Sequence, residues 1–120
     1  MWICISEAFL SIVHKDCAAD ELLVRARRQG DIKKLIPEAV EVKTIGNDYL
    51  YRAVVKRTRV AEALANLAMD SIDYDNFKNT VRDNKLHNAF NRIWHVMAGL
   101  QVIAPYTSPR SVKAQRGLPL

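Results

Sequence analysis

Over the first half of the chain apolar and polar residues alternate with a period of two, the pattern of half-buried strands. Trp2 to Ile5 and Ala8 to His14 are β-prone runs separated by Ser6-Glu7, which predicts a hairpin. Lys15 to Asp20 is polar and reads as a loop. Leu22 to Arg28 alternates, with Val24 and Ala26 on one face and Arg25 and Arg27 on the other. Asp31 is placed to cap a short helix whose apolar side is Ile32, Leu35 and Ile36, and Pro37 ends it. Val40 and Val42 alternate with Glu41 and Lys43 as a further strand, and Gly46-Asn47-Asp48 tolerates the positive φ of a turn. Tyr49 to Arg57 is the longest strand. Its faces are predicted as Tyr49, Tyr51, Ala53 and Val55 against Leu50, Arg52, Val54 and Lys56.

From Thr58 the period lengthens. Val60, Leu64, Leu67 and Ile72 recur at helical spacing, predicting a helix from an N-cap at Thr58 to about Ser71. Asp73 to Asn76 reads as a loop, with Asp75 or Asn76 capping the next turn. Phe77 and Val81 fall on the opposite side of a straight helix from Leu86, Phe90, Ile93, Trp94, Met97 and Leu100. One straight helix would then bury two opposite faces, so a break is expected near Asp83-Asn84-Lys85, with a longer helix from about Leu86 to Gln101. Trp94 and Met97 on that stripe are expected in the core, as is Cys4. The predicted order, ββ-β-α-ββ-α-α-α, gives an α+β two-layer sandwich: a mainly antiparallel sheet of about five strands with helices on one face. Residues 1–104 form the expected domain. Residues 105–120 read as a basic, proline-containing flexible tail.

At 120 residues, 49% hydrophobic and 26% charged, the chain is sized for one domain, which excludes a multidomain enzyme or a repeat array. Eighteen Lys/Arg against thirteen Asp/Glu give +5. Setting aside Arg110, Lys113 and Arg116 leaves fifteen against thirteen, a body of only +2, less basic than a dedicated DNA-coating protein. No apolar run approaches the ~20 residues of a membrane span. Met1 to Val13 lacks a basic start and carries Glu7, so it is read as folded structure and not as a secretion signal. Cys4 and Cys17 have no metal-ligand spacing and fit reduced thiols in a cytoplasmic protein.

Four glycines leave no phosphate-binding loop and no dinucleotide fingerprint, and no G-x-S-x-G is present. His87 and His95 are eight residues apart, too far to chelate one metal from one helix, and nothing brings His14 to either of them. No catalytic residue, metal site or cofactor is therefore assigned. The candidate binding groups are two. Arg25, Arg27, Arg52 and Lys56 are expected on an open sheet face that could accept phosphates, although the exposed aromatics of sheet-type RNA binders are missing. Asp73, Tyr74 and Asp75 form an acidic and aromatic loop, suited either to plugging the core or to recognition.

Phe9-Leu10-Ser11-Ile12-Val13, Leu23-Val24-Arg25-Ala26-Arg27, Asp48-Tyr49 through Arg52-Ala53-Val54-Val55 and Ile72-Asp73-Tyr74-Asp75-Asn76-Phe77-Lys78 come in that order, followed by His87 and Trp94. The chain from about Met1 to Leu100 thereby resembles a family of small uncharacterised proteins of bacteria and their mobile elements. The resemblance implies a cytoplasmic protein of phage or plasmid origin and supplies no catalytic residues. Together these features lead to the expectation of a non-enzymatic binding module. The expected role is that of a mobile-element protein that docks on a host protein or ribonucleoprotein complex and inhibits it, as anti-CRISPR proteins do. An RNA- or DNA-binding regulator using the basic face is the first alternative, and a small hydrolase or nuclease toxin using His14 or His87 is the second. An open sheet edge also allows a homodimer.

Overall fold

The computed structural model describes residues 1–111. Strands β1 (Trp2–Ile5) and β2 (Ala8–Val13) pair antiparallel in the register Trp2↔Ser11 to Ile5↔Ala8, so Ser6-Glu7 is a two-residue connection. The N-terminal ammonium donates to the Ile12 carbonyl at 2.7 Å and locks the start of the ladder. Strand β3 (Glu21–Ala26) adds to β2, and β5 (Tyr51–Lys56) adds to β3. Strand β4 (Val42–Lys43) closes the far edge, giving the order β1-β2-β3-β5-β4 with every neighbouring pair antiparallel. Between β3 and β4 the chain makes the short helix α1 (Asp31–Leu35), and β5 runs directly into α2 (Arg57–Asn66).

The alternation read in the sequence places the core. Ala8, Leu10, Ile12, Val24, Ala26, Ala53 and Val55 point to one face and are buried against Ile32, Leu35 and Ile36 of the α1 region and Val60 and Ala63 of α2. Leu10, Val24, Ile32, Ile36 and Val60 are each under 2% exposed. At ~1.5–3 kcal/mol per fully buried aliphatic side chain, this layer is the main source of stability. The expected α+β sandwich of a five-stranded antiparallel sheet and helices is therefore the fold, with α1 and α2 on this face. The expectation that all helices share one face fails for the last helix, which packs on Phe9 on the other side of the sheet.

A smaller cluster holds the last helix, α3 (Asn84–Ala98). Val81, Leu86 and Phe90 are buried together, with Phe9 and Phe77 packed against them. Phe9 lies between Ala8 and Leu10 on β2, so α3 meets the β1–β2 hairpin from the side opposite the main core. The break expected before this helix is present: a 3-10 turn over Phe77–Thr80 precedes it, and Asp83 caps α3 by accepting the Leu86 N–H at 3.1 Å. Asn76, one of the two expected caps, accepts the Lys78 N–H.

Four local expectations are corrected. Gly30, at φ 86°, occupies the α1 cap position, and Asp31 is instead the first helical residue, 3% exposed, where it binds Arg28 and Lys34. Thr58 does not cap α2; the helix starts at Arg57, whose N–H donates to the Asp20 carbonyl, and it ends in a π turn over Leu67–Ser71. Val40 lies outside the edge strand and Val42 is half exposed, because β4 is only two residues long. Cys4 stands exposed on the face shared with Phe9 and not in the core.

Candidate functional site

The basic sheet face is assembled largely as its alternation predicts. Arg25 on β3 and Arg52 on β5 are directly opposed cross-strand partners. Two like charges in that position repel, so an anion must lie nearby. It is Asp48, from the turn before β5: its carboxylate lies 3.1 Å from Arg52 Nη2 and 3.7 Å from Arg25 Nη1. Arg25 Nη2 also donates to Ser11 Oγ at 2.7 Å, and Arg27 Nη1 donates to the Asp48 carbonyl at 3.0 Å. Tyr49 was expected on the face of Tyr51 and Ala53. Because the strand begins only at Tyr51, its ring turns to the other side, where the Arg25 and Arg27 guanidiniums lie 4.5 and 4.3 Å from its centroid. Such cation–π contacts are worth ~0.5–2 kcal/mol, more where water is excluded.

This arrangement answers part of its own charge, one carboxylate standing among three guanidiniums. The Arg25 and Arg52 side chains are only 13% and 12% exposed, and each keeps a buried Nε with no hydrogen-bond partner. Desolvation works to raise the Asp48 carboxyl, but the Tyr49 N–H and then the two guanidiniums outweigh it and hold its pKa below the usual value. Lys56 stands apart, exposed, with its ammonium 2.8 Å from Asp20. The structure thus brings Arg25, Arg27 and Arg52 together around Asp48 and Tyr49, and it leaves Lys56 outside that cluster. Asp48 and Tyr49 read in the sequence as turn and strand residues. Their role was visible only as an acid and an aromatic entering a strand opposite an alternating basic one.

In the second candidate group, Asp73 and Asp75 are exposed. Tyr74 is half buried, its ring 5.8 Å from Phe77, which in turn lies 5.5 Å from Phe90. Tyr74 and Phe77 thereby tie the loop to the small cluster and leave the two carboxylates in water.

The surface that sequence reasoning missed is the outer part of α3. Ile93, Met97 and Leu100 continue the stripe of Leu86 and Phe90, yet they are 41%, 55% and 76% exposed, and the adjacent Val96 is 74% exposed. Met97 is not core, and Trp94 is only half buried. The reason is geometric: the helix runs past the end of the cluster it packs on, so the same stripe is covered at one end and bare at the other. Beside it, Trp94 stacks on Tyr106 (6.1 Å between centroids, 17° between planes), and the Lys78 ammonium lies 4.8 Å from the Trp94 ring centroid. Tyr106 holds φ +64°, an uncommon conformation for a bulky residue, and is 94% exposed. A cavity of about 460 Å³ opens here, walled by Cys4, Phe77, Phe90, Ile93, Trp94 and Tyr106, with Asp75, Asn76 and Lys78 also lining it. Tyr106 belongs to the segment expected as a flexible tail, of which residues 105–111 are described. The rest of that segment, with Lys113 and Arg116, lies outside the described residues.

His14 hydrogen-bonds the Ala18 carbonyl, while His95 packs its ring edgewise on Trp94 and His87 is half buried on α3. Among the described residues no three His, Cys, Asp or Glu side chains are grouped to hold a metal, and no helix is long and apolar enough to cross a membrane. No protein-family model, curated protein or solved structure matches the chain.

Proposed function

We propose that this protein is a non-enzymatic binding module that docks on another protein through the bare end of α3, and that by docking it obstructs a host nucleic-acid-handling complex. The observation that carries the reading is the exposed ridge of Ile93, Val96, Met97 and Leu100 on a helix whose other end is anchored by buried Leu86 and Phe90. Apolar surface left in water costs ~25 cal/mol for each Å², and a contiguous patch on an ordered helix is a common mark of a protein-binding surface. The basic face supports the nucleic-acid alternative less well, since Arg25 and Arg52 are mostly buried and already hold Asp48.

The test compares capture by the tagged wild-type chain with capture by Met97→Glu, with and without nuclease. Met97 is 55% exposed, so the substitution leaves the core intact, and circular dichroism checks this. The reading expects a nuclease-resistant protein partner that is lost in the variant. A folded Met97→Glu that retains the same partners, or partners that vanish with nuclease, overturns it.

A further inference from the structure

We infer that the partner segment received by α3 is an acidic amphipathic helix that places an apolar anchor in the cavity beside Trp94. This rests on the docking role just proposed and adds to it the chemistry of the occupant. The first observation is the distribution of charge. All thirteen acids of the chain lie at or before Asp83, where thirteen bases balance them. Beyond Asp83 there is no acid, and the bases Lys85, Arg92, Arg110, Lys113 and Arg116 account for the whole net charge of +5. The docking helix is thus set in the one stretch of chain that carries no anion of its own.

The second observation is where those bases stand. Within α3, Arg92 lies one turn before Val96, so it borders the exposed ridge, and Lys85 falls on the same side of the helix. Both are exposed. In the main body some bases have counter-ions: Arg28 has Asp31 and Asp83, Lys34 has Asp31, Lys56 has Asp20, and Arg59 has Glu38. Others such as Lys33, Lys43 and Arg57 have none among the described residues but lie among acids of the same stretch of chain. Among the described residues Lys85 and Arg92 have no carboxylate partner. On the other border, Lys78 at the cavity donates to Asn91 Oδ1 and caps the Trp94 face, with Asp75 as the one acid lining the cavity. An apolar ridge flanked by unanswered cations is complementary to a helix with an apolar face and acidic flanks. Nucleic acid fits the cations but not the aliphatic ridge of Ile93, Val96, Met97 and Leu100.

The cavity sets the anchor. Its walls join the rings of Phe77, Phe90 and Trp94 and the Ile93 side chain to the polar Asp75, Asn76 and Lys78, and about 460 Å³ is ample for a large apolar side chain against the rings. A Phe or Leu at the centre of the partner's apolar face would meet Phe77, Phe90 and Trp94 there. A Glu on its flank would then reach Arg92 or Lys85.

The experiment titrates the full chain with three tryptophan-free synthetic probes, read by intrinsic tryptophan fluorescence. They are an amphipathic helix with Leu/Phe on one face and Glu on the other, the same peptide with Lys for Glu, and a single-stranded oligonucleotide of matching charge. The acidic peptide is expected to bind at least ~10-fold more tightly than the basic one, and Lys85→Glu with Arg92→Glu should remove roughly that factor. Met97→Glu should abolish binding of the acidic peptide. Equal affinity for the two peptides, or preference for the oligonucleotide, overturns the inference. A concentration-dependent dimer of the free chain that Met97→Glu abolishes also overturns it, because the ridge would then be self-covered. If Met97→Glu loses its captured partner while the two peptides bind alike, the docking role stands and only the acidic partner fails. If capture is unaffected as well, both fail.

Discussion

Asp31 allows a sharp test of how this fold handles charge. Its side chain is 4% exposed and accepts hydrogen bonds from Arg28 Nε and Lys34 Nζ, both at 3.1 Å. Truncation by Asp31→Ala removes two charge-assisted hydrogen bonds, each worth ~1.5–3 kcal/mol. It also removes the burial penalty of the carboxylate, which is several kcal/mol for an ion. The cations left behind are not stranded: their side chains are 37% and 40% exposed, and Arg28 keeps Asp83 at 2.7 Å. The net loss should be about 1–2 kcal/mol. The reverse truncation, Arg28→Ala with Lys34→Ala, leaves the carboxylate buried without a cation and should cost ~3–5 kcal/mol. Adding Asp31→Ala to that pair should restore stability, because it deletes the stranded charge. Urea unfolding followed by circular dichroism measures all three, with an unchanged m-value showing that compactness is unaffected. Asp83→Asn, measured separately, gives the share of the Arg28 effect that belongs to its second partner. If the double variant loses no more than Asp31→Ala, or the triple variant is the least stable, the reasoning fails.

Three further outcomes follow from the geometry. Phe90→Ala should cost ~3–5 kcal/mol and free α3, since Phe90 is 5% exposed in a cluster with only Val81 and Leu86 as buried companions; faster proteolytic cleavage within residues 84–98 would show this. The Asp83 carboxyl is held below its usual pKa by the Leu86 N–H and then by Arg28, so the stability it lends is whole above ~pH 4 and drains as pH falls through the lowered value; Asp83→Asn should flatten that acid limb of the unfolding curve. Asp48→Asn should release Arg25 and Arg52 to bind polyanions, with a log affinity against log salt slope steeper by about 1.8 for two added phosphate contacts; an unchanged slope would show that the cluster is closed by packing and not by Asp48.

Much of the architecture is local and was legible. The hairpin, the alternating faces of β3 and β5, the break before α3 and the Asn76 cap each depend on residues a few positions apart, and period-two and period-3.6 patterns report them directly. The alternation also put Arg25 and Arg52 on one face, but their direct opposition is a matter of strand register that only the fold sets. Nor could the alternation show that Asp48 would lie between them and offset part of their charge, since that depends on where the turn before β5 folds back.

What the sequence determined by itself is the set of faces: which side of each strand and helix is apolar, and where the chain must turn. What only the tertiary structure decided is which faces find a partner. Leu86 and Met97 lie on one stripe and look alike in sequence, yet Leu86 is 6% exposed and Met97 55%, because Phe9 and Phe77 pack around the end of α3 that holds Leu86, while Met97 lies beyond that cluster. Asp31 and Asp48 read alike as turn and cap residues, yet one is buried between two cations and the other lies at the surface over two arginines. Periodicity records what a side chain can bury. Whether it is buried depends on the lengths and positions of elements far away in the chain, and that is a property of packing.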